Sequence, residues 1–345
     1  MESLNLLEKK TNGTVKIIKQ QYDTIINNSI YSGIYNFKLN HSYGSLKQLF
    51  IKATLSTGGN ATTLKTPFGA LLLSSIILRS DSSVLQRITP VYTTARLDLL
   101  ANTGLYQKIL PGVQPPTGNF SSGSNTCIVY IPLFFWFSDK TELALDLYGR
   151  RQLYLEITTN SSNINMGMSA ALTSSTYELI SVFEQKETYS VPKQIKGSYD
   201  VFLEDTQQLA IGATSCRFRL RCPNEVFSIS MMLIVPATLA YLQINSVQID
   251  IPTSTLFSID YQMNYLLSDD PNKSYNQTSS TTLTFGSRNV KDTFLTFSQN
   301  MAPTYITVNF TALTASTNLY TISEYHTELE SLSDGFINTA ISGVF

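Results

Sequence analysis

Charge is scarce in this chain. Lys, Arg, Asp and Glu together make up 14% of its 345 residues, against roughly 25% in an average soluble domain. The formal net charge of −1 excludes a polycation that grips nucleic acid by counterion release. Cysteine is rarer still. Cys127, Cys216 and Cys222 are odd in number and follow no CxxC spacing, which excludes a complete disulfide framework and a zinc site. A Cys216–Cys222 bridge across a tight turn is open on spacing, but small buried hydrophobes is the simpler reading of all three. Only two histidines occur, His41 and His326, without an HExxH or a Cys partner. No Walker loop, GxGxxG or GxSxG is present. The N-terminus, Met1-Glu2-Ser3-Leu4, lacks a basic leader before an apolar run, so no secretory signal is expected. One stretch, Val226 to Ile249, carries no charge and passes for a membrane span by window hydropathy. Phe227, Ile229 and Met231 alternate there with Ser228 and Ser230, and Pro236 interrupts the run, so strands are expected instead.

What the chain does contain is repetition. Asn36-Phe37-Lys38-Leu39, a turn and Leu46 to Leu55 read like Arg217-Phe218-Arg219-Leu220, a turn and Val226 to Val235. Ala70 to Arg79 is in step with Tyr241 to Asp250. Tyr154 to Thr158 resembles Tyr305 to Asn309, and Thr176 to Ser181 resembles Leu319 to Ser323. The four matches keep their order while their separation shrinks, so the first half holds longer insertions. Self-similarity of this kind decides the architecture before any motif does. At 345 residues, two domains of about 150 residues are the natural division.

The expected organisation is all-β. Residues 1–30 form a basic N-terminal appendage, in which Leu4, Leu7, Lys9 and Lys10 fit a short helix stopped by Asn12-Gly13, followed by Lys16 and Lys19. Residues 31–186 are the first β domain, 187–197 a linker with Pro192 and Gly197, and 198–330 the second β domain. Ile128 to Phe137 is apolar enough to be buried on both faces, with Trp136, the single tryptophan, as a core filler. Pro90 to Asn102 is a helix with Pro at its start and Gly104 beyond its end, and Leu256 to Leu267 is its candidate equivalent. Gly104 to Thr126 and Asn160 to Ser174 are long loops. In residues 331–345, Leu332, Phe336, Ile337, Ala340, Ile341, Val344 and Phe345 recur at helical spacing. That amphipathic helix must bury its face on its own domain, a neighbouring subunit or lipid.

Catalytic constellations are thin. Glu184 with Glu187, and Glu204 with Asp205, are the carboxylate pairs that a glycan hydrolase would need, and both read as solvated surface. Asp269-Asp270-Pro271-Asn272 lacks the Gly and terminal Glu of an EF-hand loop. Asn-x-Ser/Thr sequons stand at Asn12, Asn27, Asn40, Asn60, Asn119, Asn160, Asn272, Asn276 and Asn309, a number so Ser/Thr-rich a chain supplies by composition. No catalytic, cofactor-binding or metal-ligating residue is assigned, and no cofactor is expected.

The tandem pattern, the Pro-initiated helix Pro90 to Asn102, the block Ile131 to Ser138, the segment Leu145-Asp146-Leu147-Tyr148-Gly149 and the run Gln152 to Thr158 together resemble the double jelly-roll major capsid proteins of tailless icosahedral viruses, the adenovirus hexon lineage. The resemblance spans about residues 30 to 330. It implies two jelly-roll β-sandwiches side by side, a few short helices and the C-terminal amphipathic helix. It also implies a non-enzymatic role in a virion shell, as a homotrimer that forms a pseudo-hexagonal capsomer. The partners would be neighbouring capsomers, minor capsid or vertex proteins and an internal membrane, with no sequence-specific nucleic acid and no small-molecule substrate. Leu4, Leu7, Lys9, Lys10, Lys16 and Lys19 would face inward or touch anionic headgroups. The two long loops would stand outward, and the C-terminal residues would serve assembly. Two other classes compete: a surface carbohydrate-binding or adhesin module, and a tandem jelly-roll hydrolase.

Overall fold

The computed structural model describes residues 15–39, 45–65, 67–80, 83–100, 112–113, 126–139, 145–146, 152–184, 196–220, 226–251, 254–260, 281–284, 305–331 and 337–339. In the first half the strands are β1 (Val15–Gln21), β2 (Thr24–Asn27), β3 (Ile34–Lys38), β4 (Ser45–Ser56), β5 (Leu73–Ser80), β6 (Ser83–Ile88), β7 (Cys127–Leu133), β8 (Leu145–Asp146), β9 (Leu153–Thr159) and β10 (Ser174–Glu184). The second half has β11 (Lys196–Leu209), β12 (Ser215–Arg219), β13 (Val226–Val235), β14 (Ala240–Leu242), β15 (Ile244–Ile251), β16 (Ser254–Asp260), β17 (Thr281–Thr284), β18 (Tyr305–Phe310), β19 (Thr317–Ser331) and β20 (Ile337–Thr339). Two helices matter below, α1 (Phe68–Leu71) and α2 (Pro90–Leu100).

Each half repeats one strand order. In the first, β1-β10-β4-β7 form one sheet and β3-β9-β5-β6 the other, with β2 added beyond β3 and β8 beside β4. In the second, β11-β19-β13 with β17 form one sheet and β12-β18-β15-β16 the other. Eight strands of each half therefore occupy the same eight sheet positions, and the first strand of each pairs with the last. That is jelly-roll topology, twice. Every pairing with a described register is antiparallel, so alternate residues face inward. Leu49, Ile51, Ala53 and Leu55 of β4 face Leu153, Leu155 and Ile157 of β9 across the first core, all of them buried. The second core is a single cluster built from Phe218, Ile229, Met231, Leu233, Val247, Ile249, Ile306, Val308 and Leu319.

Three of the four sequence matches fall on equivalent strands in equivalent register. Lys38 pairs with Tyr154 and Tyr154 with Arg79, as Arg219 pairs with Tyr305 and Tyr305 with Asp250. The fourth is displaced by one residue. Tyr177 pairs with Ala53, but the counterpart of Ala53, Leu233, pairs with Leu319 rather than Tyr320. Tyr177 is buried and Tyr320 only half-buried, because a one-residue slip moves a side chain to the other face.

Contact density divides the chain into two compact units. The first comprises Met1–Thr93, Gln107–Tyr199 and Glu328–Phe345; the second comprises Thr94–Tyr106 and Asp200–Thr327. A segment of each half counts with the other unit.

Several expectations change. Residues 1–30 are not all appendage, because β1 pairs with β10 from Val15↔Glu184 to Gln21↔Glu178 and β2 pairs with β3. Val15, Ile17 and Ile18 have the β-branched character that an edge strand takes. The C-terminal helix is not what forms at Ile337–Thr339, which is strand β20 on Leu329–Ser331 of β19. Asp334-Gly335 between them is a hairpin signal that the helical spacing concealed. Leu332, Phe336, Ala340, Ile341, Val344 and Phe345 lie outside the described residues. The helix candidate at Leu256 to Leu267 is strand β16 as far as Asp260, where Phe257 pairs with Ile249 and Ile259 with Val247. Ile128 to Phe137 is not buried on both faces. Ile128 is 46% exposed, because β7 is an edge strand with one outward face. After Leu133 the chain leaves the strand, and Trp136–Asp139 is a short helix.

Candidate functional site

Two of the candidate carboxylates, Glu184 and Asp205, are engaged by neighbouring groups. Glu184 forms an ion pair with Lys47 at 2.6 Å, and Glu187 lies outside the described residues. Asp205 accepts hydrogen bonds from its neighbours, the Thr206 amide and the Gln207 side chain. Cys127 is buried and Cys216 half-buried, both as free thiols, and burial raises the Cys216 pKa. Cys222, His41 and Asp269-Asp270-Pro271-Asn272 lie outside the described residues, as does the His326 side chain. Among the described residues no group of three or more His, Cys, Asp or Glu could hold a metal ion. No described helix is long and apolar enough to cross a membrane, and Val226 to Ile249 forms β13, β14 and most of β15.

Surfaces are the remaining candidates. The first is the segment Val15–Asn27. It borders one sheet as β1, then changes sheets at Tyr22-Asp23 and borders the other as β2. The crossing is pinned. The Asp23 amide donates to Asn36 O at 2.8 Å, the Asp23 carboxylate accepts from the Lys38 amide, and Gln20 Nε2 donates to Lys38 O at 2.9 Å. Behind it the rings of Tyr22, Tyr35 and Tyr177 meet in series, each tilted on the next, with centroids 5.5 and 5.1 Å apart. Burial raises the Tyr35 phenol above its ordinary pKa, helped by Tyr22. Burial raises Tyr177 much further, against a lowering from the Ser175 hydroxyl. Lys16 and Lys19 sit on β1 and are exposed, as are Ile17, Ile25 and Ile26. Leu4, Leu7, Lys9 and Lys10 lie outside the described residues. The exposed isoleucines on two edge strands are what sequence reasoning missed. Their signal was the β-branched content of Val15 to Ile26, masked there by the basic character of the stretch.

The second is the loop end of the first roll. Asn160–Thr173 folds onto Thr57–Lys65. Ser169 Oγ lies 3.1 Å from Thr62 Oγ1 and accepts from the Thr63 amide at 2.8 Å, while Lys65 N donates to Gly167 O at 2.8 Å. Asn160 Nδ2 donates to Leu71 O and Asn165 O, so this sequon's amide is spent inside the fold. Met166, Met168 and Leu172 are buried beneath. Gly167 holds φ +75°, and an added Cβ would meet Lys65 Cβ at 3.0 Å. The loop is thus tied to its neighbours by backbone and side-chain hydrogen bonds. Most of Gly104 to Thr126 lies outside the described residues, but Val113 is buried against Gly69 of α1.

The third is the outer face of sheet β1-β10-β4-β7. It carries a polar row in which Glu178 accepts from Gln21 at 2.8 Å and pairs with Lys52.

No family model and no curated protein matches this chain. Solved structures do. The chain of the quasi-atomic PBCV-1 virus capsid is similar over 96% of this chain and 98% of its own, with a TM-score of 0.75 at 13% identity. This chain has the double jelly-roll fold. The Faustovirus major capsid protein is similar over 93% of this chain and 91% of its own, with a TM-score of 0.66 at 10% identity. The STIV MCP is similar over 90% of this chain and 96% of its own, with a TM-score of 0.57 at 11% identity. At such identities the likeness is one of fold.

Proposed function

We propose that this chain is a structural capsid protein, the repeating unit of an icosahedral virion shell. One observation carries the reading: the same eight-strand order occurs twice in the chain, and the likeness to a virus-capsid chain covers 96% of it. In this reading three copies make a capsomer with six similar lobes, which suits a hexagonal lattice site. Scarce charge suits surfaces that meet protein. Neighbouring capsomers and minor capsid or vertex proteins are the partners, and the virion is the location.

The finer parts of the reading rest on the N- and C-terminal segments. Lys16 and Lys19, with Leu4, Leu7, Lys9 and Lys10, face the interior, where an internal membrane with anionic headgroups would add about 1 kcal/mol per lysine. The C-terminal residues from Leu332 to Phe345 serve contacts between capsomers. The deciding experiment is the mass and symmetry of the purified protein. A trimer of six-lobed outline that forms hexagonal sheets or shells is expected. A monomer at every concentration and salt tested would overturn the proposal.

A further inference from the structure

A face of the second unit that should be open to solvent is buried. In β13, Ile229, Met231 and Leu233 point into the core, so Ser230 and Met232 point away from it. Their partners across the ladder are Ile322 and Tyr320, and Glu324 follows on the same face opposite Ser228. Yet Ser230, Met232, Ile322 and Glu324 are all at most 3% exposed. A two-layer sandwich does not bury the outer face of its own sheet, so a third layer lies on it. One described contact shows what reaches it. Arg96 Nη1 of α2 lies 3.5 Å from Glu324 Oε1, with side-chain exposures of 8% and 4%. Its helix neighbours Thr94, Ala95 and Leu97 are equally buried.

By sequence α2 belongs to the first half. It starts there conventionally: Pro90 stands at its first position, the Thr89 hydroxyl accepts from the Tyr92 amide at 3.2 Å, and Thr89 O accepts from the Thr93 amide at 3.0 Å. From Thr94 onward its contacts place it in the second unit. We propose that the outer face of β13 and β19 is a helix-binding surface whose ligand is α2, and that the Arg96–Glu324 pair sets the helix in register. The second jelly roll then completes its fold only with a segment supplied by the first half. A buried pair contributes little net stability over an apolar one, but removing one partner weakens the compensation of a charge that stays buried. Its use is therefore to reject wrong seatings of a helix in which the buried neighbours Thr94, Ala95 and Leu97 carry no charge.

The test is hydrogen exchange on the full-length protein. Arg96→Ala changes a first-half residue, and the expected result is loss of amide protection in β13, β19, β12 and β18. That loss should be about a hundredfold or more, the scale of removing one partner from a buried ion pair, with β3, β5 and β9 changed far less. The double variant Arg96→Met/Glu324→Met should regain protection to within about tenfold of wild type. Should Arg96→Ala not yield soluble protein, Glu324→Gln, which keeps the shape and removes the charge, is read in the same way. Loss concentrated in β5 and β6, or spread evenly over both units, overturns the assignment of α2. A double variant no better than the single ones overturns the role of the pair.

Discussion

At the scale of single residues, two positions carry costs that the sequence pattern does not reveal. Ser32 sits at φ 57°, in the left-handed region that penalises a Cβ by about 1 kcal/mol or more. It is held there by its amide to Asn160 O at 3.0 Å and by Asn27 Nδ2 on its carbonyl at 2.8 Å. Ser32→Gly should therefore raise the free energy of unfolding by about 0.5–1 kcal/mol, and Ser32→Val should lower it; thermal melts of the two variants check this. Tyr177 makes the fold sensitive to alkali. Burial is the main cause of its raised pKa, so the folded state favours the neutral phenol. Its contribution is complete below the unfolded value of about 10 and is lost as pH rises above it toward the folded value. Urea midpoints measured from pH 8 to 11 should fall at the alkaline end in wild type, and fall less in Tyr177→Phe. Neither property was visible beforehand. Left-handed backbone at a serine has no sequence signature, and Tyr177 read only as one member of a repeated pair.

Elements were legible where strand alternation was long and both faces had distinct neighbours. Phe37, Tyr154 and Ser75 lie on β3, β9 and β5, and their counterparts Phe218, Tyr305 and Ser246 lie on β12, β18 and β15, in matching register. Short segments were not legible. Three residues of β20 fit a helical period as well as a strand period, and only pairing with β19 decides between them. The second-half helix candidate begins inside a strand. β16 holds the place of β6, and α2 follows β6, so any counterpart of α2 would follow Asp260. At this scale β1 makes a prediction. Removing residues 1–14 should leave the melting curve nearly unchanged, whereas removing 1–21 strips β1 from β10 and exposes Phe183 and Val182 beside an open edge. Aggregation is the expected outcome for the longer deletion, measured by light scattering during refolding. Truncation after Ser331, which deletes β20, should leave both rolls folded and reduce particle yield. Normal yield from that truncation would count against an assembly role for the C-terminal residues.

At the scale of the whole molecule, the duplication was legible and the exchange of segments was not. Two rolls follow from matched strands, but nothing in periodicity says that Thr94–Tyr106 counts with the second unit and Glu328–Phe345 with the first. Such membership depends on which buried face meets which, and the clue was a single charge pair, Arg96 and Glu324, far apart in sequence. The exchange predicts that a chain cut by protease within residues 187–195 will not fall into two halves. The nicked protein should elute as one species in native buffer and as two in denaturant; separation in native buffer would refute it. The segment Val15–Asn27 has a mechanical consequence. Tension on the N-terminus directed along β1 would load the ladder from Val15↔Glu184 to Gln21↔Glu178 in shear, all of its hydrogen bonds at once. Tension directed away from the sheet would peel the same bonds one at a time, and would stop at Tyr22-Asp23, where the chain is stitched to the other sheet. A neighbour that pulls on this end would therefore meet a fastening that is strong in one direction and weak in another, with its rip-stop built in after seven residues.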